Sequence, residues 1–224
     1  MSAASPRQLV LALDHATSFA REDFLTGPSN AAAFSLIERW PDWPNSIVAL
    51  VGPEGSGKSH LAAIWAETAG ARVLAAKLLA HGDLPAALAT GALVLEDLAF
   101  AGLDERPLFH LINLAREEGA YVLITSRSPL ASFPVTIRDL ASRLRAVPSV
   151  TLAAPDDALL RSLIVKLAAD RQLAVDDALV RFLVNRIERS FAGARAAVAR
   201  LDEEAMRQHR PLTRALAAEV FREL

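Results

Sequence analysis

Gly52-Pro53-Glu54-Gly55-Ser56-Gly57-Lys58-Ser59 lies between an apolar, β-prone run, Ile47-Val48-Ala49-Leu50-Val51, and a helix-like stretch that continues His60-Leu61-Ala62-Ala63-Ile64-Trp65-Ala66. The octet fits the pattern G-x-x-x-x-G-K-[ST], and a strand before it and a helix after it are the context that this loop requires. Its glycines let the backbone turn N–H groups toward a chain of phosphates. The following helix points its positive end at the same anion. On this reading Gly52, Pro53, Glu54, Gly55, Ser56 and Gly57 cradle the phosphates of a nucleotide, with His60 in the first helical turn beside them. Lys58 reaches the terminal phosphates, and the Ser59 hydroxyl holds Mg²⁺.

Composition sets the outer bounds. A chain of 224 residues is one large domain, or a core domain with a small appendage. Hydrophobic residues make up 52%, enough for a substantial core and too many for a disordered chain. The absence of cysteine excludes disulfides and thiolate metal sites, and permits a reducing compartment. His15, His60, His81, His110 and His209 are scattered without metal-ligand spacing. No apolar run is long enough to span a bilayer, and the N-terminus lacks a signal-peptide core. The expectation is a soluble, cytoplasmic protein with no membrane partner. The formal net charge of −2 and the pI near 6.2 lack the basic excess of a dedicated DNA binder. Arg138, Arg143 and Arg145 form only a local basic cluster.

Residues 1–30 read as an extended leader, and 31–40 as a short helix stopped by Pro41-Asp42-Trp43-Pro44. Apolar runs follow at 47–51, 72–76, 92–96, 121–125 and 149–152. Helical patterns lie between them near 58–69, 84–89, 105–118 and 137–145. Strands alternating with helices predict an α/β fold with a mostly parallel sheet covered on both faces. After Ala153-Ala154-Pro155-Asp156 only helical periodicity remains. Leu159, Leu160, Leu163, Ile164 and Leu167 share one face. Leu179, Phe182, Leu183 and Ile187 share the next, then Phe191, Ala194, Ala197, Val198 and Leu201, with a last helix over 213–222. Asp156 and Asp176 are the expected N-caps. The chain therefore reads as a nucleotide-binding α/β domain followed by a small all-helical lid.

A phosphate loop needs a partner carboxylate for Mg²⁺ at the end of an apolar strand. Leu93-Val94-Leu95-Glu96-Asp97 supplies two. The usual division puts the first acid, Glu96, on the metal and the second, Asp97, on the attacking water; the reverse division is equally open. Tyr121-Val122-Leu123-Ile124-Thr125-Ser126-Arg127 ends another apolar strand in polar residues. Ligands of such sheets sit at the carboxyl ends of strands, so Thr125 or Ser126 is placed to sense a γ-phosphate. Arg143 lies on the helical segment before 149–152, where an arginine reaches a neighbouring molecule's γ-phosphate or simply faces solvent. Arg200, in the lid, is a candidate to fold back on the same chain's phosphates.

Together these residues resemble the DnaA branch of the AAA+ ATPases, and within it the Hda family of DnaA-related regulatory inactivators. Arg21-Glu22-Asp23-Phe24-Leu25-Thr26-Gly27-Pro28-Ser29-Asn30 is similar to the F-x-x-F-x-x-G-x-x-N leader that packs on adenine in that branch. The resemblance thereby implies roles for Phe24, Leu25 and Asn30. Gly52 to Ser59 matches Walker A, Leu93 to Asp97 matches Walker B, and Thr125-Ser126 falls at sensor 1. Asp139-Leu140-Ala141-Ser142-Arg143-Leu144 is similar to the box that carries a trans-acting arginine, and Arg200 falls at sensor 2. Gln8-Leu9-Val10-Leu11-Ala12-Leu13 resembles the Q-L-x-L-P-L peptide that docks on the replicative sliding clamp. In an extended segment Leu9, Leu11 and Leu13 lie on one side, and Gln8 anchors the register. Ala12 stands where proline is common. Glu96 replaces the usual Walker B aspartate, which bears on Mg²⁺ geometry and intrinsic hydrolysis but not on nucleotide binding.

The resemblance implies three parts: a clamp-binding leader over 1–20, an AAA+ nucleotide-binding domain over 21–154, and a helical lid over 155–224. Because the sequence stops with the lid, the expectation is a form without a helix-turn-helix DNA-binding domain. The function implied is negative regulation of chromosomal replication initiation. The protein would hold ADP or ATP with Mg²⁺, ADP being the active form in the family, and dock on the DNA-loaded clamp. It would then stimulate hydrolysis of DnaA-bound ATP through Arg143, with weak ATPase activity of its own. DNA would be met only through the clamp, and a homodimer or AAA+ oligomer is compatible. The competing readings are a stand-alone AAA+ ATPase that loads a helicase, and a nucleotide-gated tether without catalytic contribution.

Overall fold

The computed structural model describes residues 19–222. Five strands, β1 (Ile47–Val51), β2 (Arg72–Ala75), β3 (Ala92–Leu98), β4 (Tyr121–Ser126) and β5 (Ser149–Thr151), make one sheet. Its spatial order is β2-β3-β4-β1-β5, with every neighbouring pair parallel. The fold is thus the expected α/β architecture. Alternation along the strands divides the apolar residues between two cores. Ile47, Ala49 and Val51 of β1 face one core with Leu93, Leu95, Val122 and Ile124. Val48 and Leu50 face the other with Val94 and Leu123. β1 is buried along its whole length, as a central parallel strand covered on both faces must be.

Helices α1 (Ala31–Glu38) and α2 (Lys58–Ala69) close one face through Leu36, Ile37, Leu61 and Trp65. Helices α3 (Leu84–Leu88), α4 (Glu105–Glu117) and α5 (Arg138–Ala146) close the other through Leu88, Leu108, Leu111, Leu140 and Leu144. Helix α1 stops two residues short of its expected end. Trp40 precedes Pro41, and the residue before a proline is pushed out of helical geometry.

Four further helices, α6 (Asp157–Asp170), α7 (Asp177–Val184), α8 (Phe191–Gln208) and α9 (Arg214–Val220), enclose a separate apolar core. Leu160, Leu163, Ile164, Leu179, Leu183, Val198, Leu201 and Phe221 fill it. Each of the four helices starts on a side-chain cap. Asp156 accepts from the Leu159 N–H at 2.8 Å, and Asp176 from the Leu179 N–H at 2.7 Å. Ser190 accepts from the Gly193 N–H at 2.9 Å, and Thr213 from the Leu216 N–H at 3.3 Å.

Sequence periodicity did not reveal the short 3-10 turns Arg21–Asp23, Ala76–His81 and Leu130–Ser132. The first of these corrects the expectation of a leader extended up to residue 30. There Arg21 pairs with Glu38 at 2.8 Å and Asp23 with Lys166 of α6 at 2.6 Å, so contacts distant in sequence set its shape. The candidate clamp residues Gln8, Leu9, Leu11 and Leu13 lie outside the described residues.

Candidate nucleotide site

The loop between β1 and α2 is shaped by close approach. A side chain at Gly52 would come within 2.4 Å of the Leu152 carbonyl oxygen. Gly57, at φ 97°, caps α2 in the left-handed region that favours glycine. Lys58 turns back over the loop and donates to the Gly52 and Pro53 carbonyls at 2.8 and 2.7 Å. Burial holds its ammonium below the ordinary pKa of 10.5, and the charge of Asp97 works against that shift.

A cleft of about 380 Å³ opens at the carboxyl ends of β1, β3 and β4. Glu54, Gly55, Lys58, Ser59, Glu96, Asp97, Thr125 and Arg127 line it, with Ala75 to Lys77 on the far wall. The acids of β3 reach it through an irregularity. The register with β4 shifts between Leu95 and Leu98, and Asp97 takes φ 58°. The Asp97 N–H donates to Thr125 Oγ1 at 2.8 Å, which fixes that bend. Among the described residues no cluster of three or more His, Cys, Asp or Glu side chains stands ready for a metal. Ser59 and the two carboxylates fit a Mg²⁺ site of the kind that takes one or two carboxylates and completes its shell with phosphates and water. When bound there, the ion would neutralise charge on the phosphates.

Beside this cleft a smaller, more apolar pocket of about 150 Å³ is lined by Phe19, Phe24, Gly57, His60, Phe191 and Arg195. Lys58 and Ser59 border both spaces. Phe24 stacks on Phe34 at 5.4 Å and on Phe191 at 6.5 Å, with the His60 ring against it edge-on. Flat apolar walls next to a phosphate cleft suit a nucleobase. His60 Nε2 donates to the Ala20 carbonyl at 3.0 Å, and burial keeps its pKa below the ordinary 6.5, with Arg195 lowering it further and Asp23 raising it. The sign follows. In the interval just below 6.5 the folded chain binds fewer protons than the unfolded one, so stability falls as pH drops through it and is complete above it. Melting temperatures taken between about pH 5 and 7.5 are expected to decline toward acid less steeply for His60→Gln than for the parent protein.

Several expected site residues stand elsewhere. Asn30 is almost fully buried and works inward: its Oδ1 accepts from the Gly27 N–H at 2.8 Å and its Nδ2 donates to the Leu25 carbonyl at 2.9 Å. It shapes the turn that carries Phe24 rather than lining either space. Leu25 packs against the helical core. Of Thr125 and Ser126, it is Thr125 that lines the cleft. Adjacent strand residues point to opposite faces, and Ser126 Oγ donates to the Ser128 carbonyl at 2.7 Å within its own turn. Arg200 lines neither space, and Arg195 lines the smaller pocket. Five residues along α8 rotate a side chain by about 140°, and the Arg200 guanidinium lies over the Phe221 ring at 5.3 Å. Arg195 lines the smaller pocket, where burial lowers its pKa and Asp23 opposes that shift. Ser190 and Phe191 mark where α8 meets the loop.

That meeting is close. The Phe191 N–H donates to the Gly55 carbonyl at 2.9 Å, and a side chain at Gly55 would meet Ser190 Cβ at 2.8 Å. Gly55 also holds φ 70°. Gly55→Ala thus combines backbone strain with a clash, on the order of 1–3 kcal/mol. Nucleotide affinity is expected to fall about tenfold or more in an equilibrium titration.

Arg143 lines neither space. On α5 its Nε and Nη2 donate to Asp139 Oδ2 at 3.1 and 3.0 Å, and its guanidinium lies 5.3 Å from the Phe109 ring centroid. Glu105 of α4 fixes the start of that helix, accepting from the Thr136 N–H and hydroxyl and the Ile137 N–H at 2.8 to 3.0 Å. Those bonds hold its carboxyl below the ordinary range.

Residues 156–221 match the family described as Hda, lid domain. The chromosomal replication initiator protein DnaA of Thermomicrobium roseum is 30% identical over 138 residues, covering 58% of this chain and 29% of the initiator. The chain is a DnaA-related AAA+ protein. It is close to Hda in its lid, and it spans less than a third of that curated initiator. Domain III of Thermotoga maritima DnaA superposes with a TM-score of 0.73 at 17% identity, covering 92% of this chain and 96% of the domain. AMPPCP-bound DnaA from Aquifex aeolicus superposes at 0.64 with 18% identity, covering 84% of this chain and 68% of that one. Both share the fold. Among the described residues no helix is long and apolar enough to cross a membrane.

Proposed function

We propose that this protein is a cytoplasmic negative regulator of chromosomal replication initiation that acts on DnaA carrying ATP. The observation that carries the reading is the Hda lid match over residues 156–221, joined to a phosphate cleft at the loop of Gly52 to Ser59. The AMPPCP bound to the Aquifex aeolicus DnaA supports an adenine nucleotide as ligand. Lys58 and the loop N–H groups would hold its phosphates, Phe24 and Phe191 its base, Arg195 the lid side of the pocket, and Ser59 with Glu96 and Asp97 the Mg²⁺. The domain division is proposed as before, with a leader over 1–20, a nucleotide-binding domain over 21–154 and a lid over 155–224. By family resemblance the ADP-bound form is active.

Arg143 belongs to the surface rather than to this chain's own cleft, which supports its use on a second molecule. Held on α5 by Asp139 and Phe109, it would enter the nucleotide site of DnaA and stabilise the charge that develops as ATP is cleaved. The leader would dock on the sliding clamp through Gln8, Leu9, Leu11 and Leu13. A clamp already on DNA raises the local concentration of the regulator, so the protein needs no DNA affinity of its own. A homodimer or AAA+ oligomer is compatible with the same surfaces.

The test is single-turnover hydrolysis of labelled ATP bound to DnaA, with this protein, ADP and DNA-loaded clamp added together. Acceleration that requires the clamp and disappears in Gln8→Ala supports the proposal. No acceleration with either nucleotide, together with vigorous ATP turnover by the protein alone, would replace it with a stand-alone ATPase.

A further inference from the structure

A hollow of about 320 Å³ lies in the helical lid and shares no lining residue with either space of the nucleotide site. Arg181, Phe182, Asn185 and Arg186 line it from α7 and the turn after it, and Arg214 lines it from α9. Three guanidinium groups thus converge on one small space. Arg181 is paired with Asp177 at 2.8 Å, and that carboxylate is shared with Arg161 of α6 at 3.7 Å. The Arg186 guanidinium lies 5.2 Å from the Phe182 ring centroid, and its Nη1 donates to the Phe221 carbonyl at 3.4 Å. Both partners are neutral, so they hold the group in place without cancelling its charge. Among the described residues neither Arg186 nor Arg214 has a carboxylate within ion-pair distance.

At least two positive charges are therefore left uncompensated around the hollow, where they repel one another. A phosphate ester carries about −1.5 to −2 at pH 7 and offers three acceptor oxygens. That matches the excess charge, and arginine is the side chain that meets such an oxyanion bidentately. A long polyanion fits less well, because the formal net charge of −2 lacks the basic excess that displaces counterions from nucleic acid. We propose that this hollow is an anion site of the lid that takes a small phosphate dianion, free or as the ester group of a metabolite. The bound group bridges α7 to α9 and ties them together over the core that holds Leu179, Leu183 and Phe221. The proposal is independent of the nucleotide-site reading.

The experiment titrates the full chain with inorganic phosphate and with glycerol 3-phosphate at constant ionic strength, by calorimetry and by melting temperature. It is run in Lys58→Ala, so that the phosphate loop contributes little to the signal. Adding Arg214→Gln is expected to weaken binding of the probes about tenfold. Arg214→Lys keeps the charge without the fork and should lose less. The fold should tolerate these changes, since the exposed Arg214 side chain holds no hydrogen bond or ion pair among the described residues. Arg181→Gln, on the other helix, should weaken the same probes by a similar factor. Tighter binding of the ester identifies a phosphorylated metabolite as the source, and equal affinities identify phosphate itself. Binding that neither arginine substitution alters, or no binding of either probe, overturns the site. So does Arg214-dependent binding of a short duplex DNA when both small probes fail, which would make the hollow a nucleic-acid contact.

Discussion

Nucleotide binding is expected to fall by about 10² to 10³ in Lys58→Ala. A hydrogen bond to a charged group contributes about 1.5–3 kcal/mol, and the ammonium offers more than one to a phosphate chain. In the structure those donors are already aimed, through the Gly52 and Pro53 carbonyls, across the mouth of the loop. A phosphate entering the cleft exchanges these neutral acceptors for charged ones, so the binding energy comes from a side chain already in place. Burial disfavours the unpaired ammonium, which strengthens its preference for an anion. Isothermal titration with ADP and with ATP measures the loss. A second readout is thermal stability: ligand raises the melting temperature of the parent protein by mass action and should leave the variant's unchanged. If Lys58→Ala binds both nucleotides as tightly as the parent, the cleft is not the nucleotide site.

Arg143→Ala is expected to reduce stimulated hydrolysis of DnaA-bound ATP by about 10³ or more, the range over which a trans-acting arginine operates. That corresponds to about 4 kcal/mol of barrier or more. The fold should tolerate the change. What is lost is an i,i+4 pair with Asp139, about 0.3–0.5 kcal/mol, and contact with one aromatic ring. Binding of nucleotide to the protein's own cleft should survive, since Arg143 lines none of it. Measured together, the two quantities separate the roles: Lys58→Ala removes binding in this chain, and Arg143→Ala removes chemistry in the partner. Arg143→Ala that stimulates as well as the parent protein would overturn the trans-acting role of this arginine.

Short-range patterns in the sequence carried a long way. The loop of Gly52 to Ser59 was legible because its chemistry needs consecutive residues: glycines where the backbone turns, a lysine and a hydroxyl at the first helical turn. The three inner strands, β1, β3 and β4, were legible because a buried parallel strand is apolar along most of its length. The caps Asp156 and Asp176 were legible because a cap bonds to an N–H three residues ahead. Arg195 and Arg127 were not. Nothing local distinguishes Arg195 from Arg200; what separates them is the rotation of α8 against the loop, fixed where Phe191 bonds Gly55. Nor does anything next to Arg127 in sequence reveal its partners. Glu54 and Asp97 come from a different loop and a different strand, and meet it only because the sheet sets β1 and β3 on either side of β4.

By itself, then, the sequence determined the α/β class, the phosphate loop, the pair of acids at the end of β3 and the helical C-terminal third, all features written within a turn or a strand. The tertiary structure alone decided the strand order, the bend at Asp97 that Thr125 holds, the placing of Thr125 and not Ser126 at the cleft, and the positions of Arg127 at the cleft and Arg195 at the pocket beside it. The physical reason is the same for each. Side chains at the mouth of a parallel sheet are brought together by strands whose order in space differs from their order in the chain, so their neighbours are set by packing and not by spacing.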